Sequence, residues 1–212
     1  MELNSTFLLS TAVLLGVTHT VAGPDHYLPF IALGRAHSWT LRRTLLITLL
    51  CGVGHVAASI AIGMAGLYGG QRLLELKIFE SLRGDIAAWL LLSFGLAYFV
   101  WGLRLAIRSR HVQPRADNRS KVAWILFIIF ALGPCEPLIP MLMTPAAALN
   151  SGALVLICGT FMGSTVATML VITALGHRGL AFLKSEVADR YAHALAGGTL
   201  SSCAAAMLFL GL

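Results

Sequence analysis

The stretch "HTVAGPDHYLP", residues 19–29, places two histidines, an aspartate and two prolines inside an otherwise apolar run. A proline inside a helix lacks the backbone N–H donor and clashes with the preceding turn, so Gly23-Pro24 predicts a kinked or broken helix. Ionisable side chains at membrane depth are costly and mark functional sites. The stretch therefore predicts a helix break that carries polar groups with a function.

The chain as a whole has the composition of an integral membrane protein. Of its 212 residues, 58% are hydrophobic and only 11% are charged, and the mean hydropathy is +0.83. A soluble domain carries about 25% charged residues. The first apolar stretch is too long for a signal-peptide core and has no basic start, so we expect a permanent membrane span.

Six apolar runs are long enough to cross a bilayer, at residues 6–33, 42–69, 86–107, 122–147, 152–176 and 191–212. Twelve of the fifteen Lys and Arg residues fall in, or at the edges of, the loops that follow the first, third and fifth runs. The positive-inside rule places these loops in the cytoplasm. We therefore expect a multi-pass plasma (inner) membrane protein with both termini outside, and we attribute the net charge of +6 to topology rather than to nucleic acid.

An internal repeat connects the two Gly-Pro sites. "AGPDHYLPF" at 22–30 matches "LGPCEPLIP" at 132–140, and "GVGHVAAS" at 52–59 matches "FMGSTVAT" at 161–168, at offsets of 110 and 109. Repeats of three spans each must have opposite orientations in the membrane, which is the inverted-repeat architecture of many transporters.

The predicted fold class is therefore an all-α polytopic membrane protein. Its six transmembrane helices form two inverted three-helix repeats, and helices 1 and 4 are broken at Gly-Pro. Residues 1–107 form the first repeat, 108–121 a basic cytoplasmic linker, and 122–212 the second repeat. In such folds the working site lies near the midplane, where the broken helices meet.

Five ionisable groups lie within the predicted spans: His19, Asp25, His26, His55 and Glu136. Every other charged residue is assigned to a loop or a span end. Cys135 directly precedes Glu136. If the two breaks meet, these groups converge with Cys135, and nitrogen, carboxylate and thiolate donors suit nickel, cobalt or zinc better than magnesium or calcium. The predicted metal-binding residues are His19, Asp25, His26, His55, Cys135 and Glu136.

These motifs resemble those of a membrane transporter superfamily. The pattern His-x5-Asp-His from His19 to His26, with Gly-x-Gly-His ending at His55, resembles the nickel/cobalt permeases and the UreH-like membrane proteins. "GPCEPLIP" at 133–140 is similar to the Pro-Cys breaks of the CcdA/DsbD thiol–disulfide carriers, and TauE/SafE sulfite exporters belong to the same wider group. The resemblance implies that His19, Asp25, His26 and His55 bind the metal ion.

His19 is the weakest of these candidates by spacing. On an unbroken helix it lies about 10 Å from His26 along the axis, which is too far for one ion to bind both. We therefore expect either that the break brings the two together or that His19 is a gate or an outer group.

The predicted function is transport of a divalent transition-metal ion (nickel- or cobalt-like) by a protein that is not an enzyme. The metal ion is expected as substrate, with no tightly bound cofactor. Expected partners are the ion and the lipid bilayer, without nucleic acid, and homo-oligomer formation is left open.

Three alternatives are a CcdA-like electron carrier, a TauE/SafE-like anion exporter and an accessory protein of metalloenzyme maturation. A redox carrier needs two cysteines in the two breaks, but the repeat counterpart of Cys135 is Asp25. Intramembrane carboxylates favour a cation over an anion.

Overall fold

The computed structural model describes residues 2–69, 73–108, 116–135, 137–142, 151–182 and 186–210. These residues are predominantly helical and include no β-strand. A helix satisfies every backbone polar group within its own segment, as a lipid environment demands. The helices are α1 (Glu2–Ala22), α2 (Leu28–Ala36), α3 (Leu41–Tyr68), α4 (Leu73–Ile107), α5 (Ala116–Leu132), α6 (Leu138–Leu142), α7 (Ser151–Phe182), α8 (Glu186–Arg190) and α9 (Ala192–Leu210), with a 3-10 turn (Pro24–His26) between α1 and α2.

Four of these helices are long and apolar enough to cross a membrane: α3, α4, α7 and α9. Large apolar side chains are exposed along them, including Leu50, Trp89, Leu175 and Phe209. Extended apolar outer faces are suited to hydrocarbon rather than to water. The chain is therefore a membrane-embedded helical protein, as its composition predicted. Two shorter apolar helices, Thr6–Ala22 and Ser120–Leu132, lie within α1 and α5.

Close helix packing depends on small residues, as is usual between membrane helices. α4 packs along α9, α1 along α7, and α3 contacts both α5 and α7. A Cβ atom at Gly102 of α4 would lie 2.4 Å from the backbone nitrogen of Ala194. A Cβ atom at Gly197 of α9 would lie 2.3 Å from the nitrogen of Phe99. Only glycine permits the two backbones to approach this closely.

The polar stretch at residues 19–29 lies where one helix ends and another begins. α1 ends at Ala22, and the N–H of Gly23 closes its last turn by donating to the carbonyl of His19 at 3.0 Å. The single 3-10 turn then leads into α2 at Leu28. In the second half, α5 ends at Leu132 and α6 begins at Leu138.

α4 differs from the predicted third span. It begins at Leu73 rather than near residue 86, and its membrane-span candidate covers Glu75–Ile107. Glu80 and Arg83, which the sequence placed in a loop, are therefore helical and buried, with exposures of 1% and 7%. The assignment of all remaining charges to loops and span ends was therefore wrong. The two charges are tolerated inside the span because they form an ion pair at 2.9 Å.

Candidate metal centre

Three histidines from two helices and the 3-10 turn form the candidate site. His19 lies in the last turn of α1, His26 ends the 3-10 turn, and His55 lies in the middle of α3. One possible ligand atom from each lies within 4.8 Å of the other two. The ring centroids of His19 and His26 are 4.7 Å apart, and those of His26 and His55 are 5.2 Å apart.

The His26 ring is oriented by two acceptors. Its Nδ1 lies 3.1 Å from the carbonyl oxygen of Gly23 and 3.2 Å from Oδ1 of Asp25. Both partners accept hydrogen bonds, so Nδ1 carries the proton and Nε2 presents a lone pair. A Cβ atom at Gly23 would lie 2.5 Å from His26 Nδ1, so this close approach requires glycine.

The His55 ring is oriented in the same manner by a backbone group. Its Nδ1 lies 3.0 Å from the carbonyl oxygen of Phe130, in the last part of α5. Nδ1 is therefore the donor, and Nε2 carries the lone pair. Within the part of the chain that the structure describes, the buried Nε2 atoms of His26 and His55 make no hydrogen bond. A buried polar atom without a partner calls for an explanation, and a bound ion is one.

His19 and Cys135 connect the two halves of the chain. Sγ of Cys135, which is fully buried, lies 3.9 Å from Nε2 of His19. Because α1 ends at Ala22, the chain turns and brings His26 next to His19. His19 is thus part of the histidine group, although its spacing on an unbroken helix made it the weakest candidate.

The group has dimensions close to those of a metal site. Donor atoms at roughly 2.1 Å from one tetrahedral ion lie about 3.4 Å from each other. The histidine donor atoms, at most 4.8 Å apart, would have to close by about 1.4 Å at the most. Imidazole donors suit zinc, copper, nickel, cobalt and iron.

Of the six predicted residues, the structure groups His19, His26 and His55 at ligand distance, and Asp25 and Cys135 lie at the edge of that group. Asp25 contacts His26, and Cys135 contacts His19. Glu136 lies outside the described residues.

Glu80 and Arg83 are polar residues beside this site that the sequence interpretation missed. Arg83 Nη2 donates to Glu80, to Ser59 and to the carbonyl of Gly133, and the N–H of Cys135 donates to Oε2 of Glu80. Their i,i+3 spacing on a helix was the one available signal. Two of their partners, Gly133 and Cys135, are 50 and 55 residues away in the sequence.

A second buried polar cluster lies near the ends of α2, α4 and α9. The Tyr98 hydroxyl is 2.9 Å from Nε2 of His37 and 2.7 Å from Nδ1 of His193. The sequence interpretation assigned no role to these two histidines. Tyr98 joins helices from both halves of the chain through this contact.

No protein-family model, no curated protein and no solved structure matches this chain. The resemblance of its motifs to the nickel/cobalt permeases therefore stays a prediction.

Proposed function

We propose that the protein transports a divalent transition-metal ion, which binds as substrate between His19, His26 and His55. The observation that carries this proposal is the orientation of two buried imidazole rings. In each, Nδ1 faces a fixed acceptor, while Nε2 is buried and unbonded within the described residues. Metal-binding histidines characteristically donate their second nitrogen to a carboxylate or a backbone carbonyl.

The surrounding groups supply the negative charge that a buried divalent cation requires. Asp25 is in contact with His26, so its carboxylate offsets part of the positive charge of the ion through the His26 ring. The Cys135 thiol lies beside His19 and can bind a soft or borderline ion as thiolate. Glu136 stays in the proposed set on the basis of the sequence.

The proposed architecture has six spans in two inverted repeats. α1 with α2 and α5 with α6 would be the two broken helices, α3 would correspond to α7, and α4 to α9. The helix contacts follow this correspondence between the two repeats. α1 packs on α7 as α5 packs on α3, while α3–α7 and α4–α9 are contacts between equivalent helices. Rocking of the two halves would expose the site to each side in turn.

We further propose nickel or cobalt as the transported ion and the cytoplasmic (inner) membrane as the location, with both termini outside. Three imidazoles with one thiol match the preferences of these ions. The basic loops on one side of the predicted spans support the orientation.

Metal content of the purified protein tests the proposal. Detergent-solubilised protein is loaded with Co²⁺ or Ni²⁺, washed and analysed for bound metal, in parallel with His26→Gln, His55→Gln and Glu136→Gln. We expect about one ion per chain in the unmodified protein and a marked loss in both histidine variants. Proteoliposomes containing a metal-sensitive dye then measure transport. Absence of bound metal above background in the unmodified protein would refute the proposal.

Replacement of the cysteines separates the transporter from a redox carrier. All four cysteines are free and buried. A variant with Cys51, Cys135, Cys158 and Cys203 replaced by alanine or serine is expected to retain metal binding with lowered affinity. Transfer of reducing equivalents across proteoliposomes by the unmodified protein, lost in this variant, would favour the redox carrier.

A further inference from the structure

Glu80 and Arg83 form an ion pair inside the candidate membrane span Glu75–Ile107 of α4. Their carboxylate and guanidinium are 2.9 Å apart, and both side chains are more than nine-tenths buried. Burying two charges costs desolvation energy, so a buried pair is weak evidence for a purely stabilising role. The bonds that the pair makes to its surroundings indicate another role.

Both residues bind the backbone between α5 and α6. The carbonyl of Gly133 and the N–H of Cys135 flank Pro134, in a segment that belongs to neither helix. Such groups need partners when they are buried. Arg83 donates to the carbonyl of Gly133 at 2.7 Å, and Glu80 accepts from the N–H of Cys135 at 3.3 Å. The pair thus holds the segment on both sides of its proline.

Close packing leaves this segment little freedom to move. A Cβ atom at Gly84 would lie 2.7 Å from Cγ of Pro134, so α4 presses directly against the proline ring. A Cβ atom at Gly133 would lie 3.2 Å from Nδ1 of His55. The segment is therefore held between α4 and the histidine group.

Glu80 also faces a cavity. A cavity of about 450 Å³ is lined by Lys77, Glu80, Ser81, Pro137, Ile139 and Pro140. Glu80 therefore stands between this cavity and the backbone of Cys135. The sulfur of Cys135 in turn lies beside His19.

We propose that Glu80 and Arg83 are positioning residues, which hold Cys135 so that its sulfur serves as the fourth ligand of the ion at His19, His26 and His55. This inference rests on the proposed function. Without the pair, the histidines still bind the ion, but the backbone of Cys135 loses its fixed position and the sulfur leaves the ion. Mutation of groups that orient ligands typically lowers metal affinity 10- to 100-fold.

Absorption spectroscopy with Co²⁺ distinguishes sulfur ligation from histidine ligation. Visible d–d bands report tetrahedral cobalt, and a near-ultraviolet charge-transfer band reports a thiolate ligand. The variant Glu80→Leu/Arg83→Met replaces the pair by apolar side chains, a change that buried ion pairs often tolerate. Glu80→Gln is a milder second variant, Cys135→Ser marks complete loss of sulfur, and Asp85→Asn removes an exposed carboxylate of the same helix as a matched control.

In the unmodified protein and in Asp85→Asn we expect both bands. In the double variant we expect the d–d bands to persist, the charge-transfer band to fall to the Cys135→Ser level, and the Kd to rise 10- to 100-fold. Glu80→Gln should lose part of the charge-transfer band. An unchanged ratio of the two bands in the folded pair variants would overturn the positioning role. So would a charge-transfer band that survives in Cys135→Ser. If the unmodified protein binds no cobalt, the proposed function itself fails.

Discussion

The substitution Asp25→Asn tests how the His26 ring is oriented. Nδ1 of His26 has two acceptors, the Gly23 carbonyl at 3.1 Å and the Asp25 carboxylate at 3.2 Å. Loss of a carboxylate that orients a metal-binding histidine costs about 10- to 100-fold in affinity. Because the Gly23 carbonyl remains and asparagine retains an oxygen acceptor, we expect a value near the lower limit. About 10-fold corresponds to about 1.4 kcal/mol.

The comparison variant His26→Gln removes the imidazole itself, so we expect a larger loss of affinity, about 100-fold or more, about 2.7 kcal/mol or greater. Competition of Co²⁺ or Ni²⁺ between the solubilised protein and a chelating dye measures both Kd values. Asp189→Asn is the matched control, because Asp189 is an exposed carboxylate paired with Arg35 at 2.8 Å.

Two results would contradict the expected order of effects. An Asp25→Asn protein with unmodified affinity would show that the carboxylate does not orient His26. A loss as large as that of His26→Gln would make Asp25 a direct ligand rather than a group that acts through the ring.

Three further predictions concern packing, the second cluster and topology. Gly197→Ala is expected to destabilise the protein by about 1–3 kcal/mol, since no space exists for a Cβ atom between α9 and α4. Gly159→Ala, with nothing within 4 Å, should be neutral or stabilising in thermal unfolding. Tyr98→Phe removes a hydrogen-bond partner of buried His37 and should cost about 1–3 kcal/mol in the same assay. Reporter fusions between residues 108 and 121 should show a cytoplasmic location, and a periplasmic signal would refute the orientation.

Several features of this protein followed from local properties of the sequence. Uniform apolarity over about twenty residues predicts membrane helices whatever their packing, because the bilayer imposes the length. The rarity of ionisable groups in such runs predicts that Asp25, His26 and His55 serve a function, since an isolated charge in lipid is costly, and that function stays a prediction. Pro24 predicted a break in the first span, and α1 ends at Ala22, just before it.

The tertiary structure alone decided which polar groups meet. His19 approaches His26 because the chain turns after Ala22, and a turn cannot be measured from spacing along a helix. Glu80 and Arg83 were assigned to a loop because the third span was predicted to begin near residue 86, and their partners at Gly133 and Cys135 are distant in the sequence. A charge is stable at depth only when an opposite charge and hydrogen-bond partners surround it, and those partners exist only once the helices have packed.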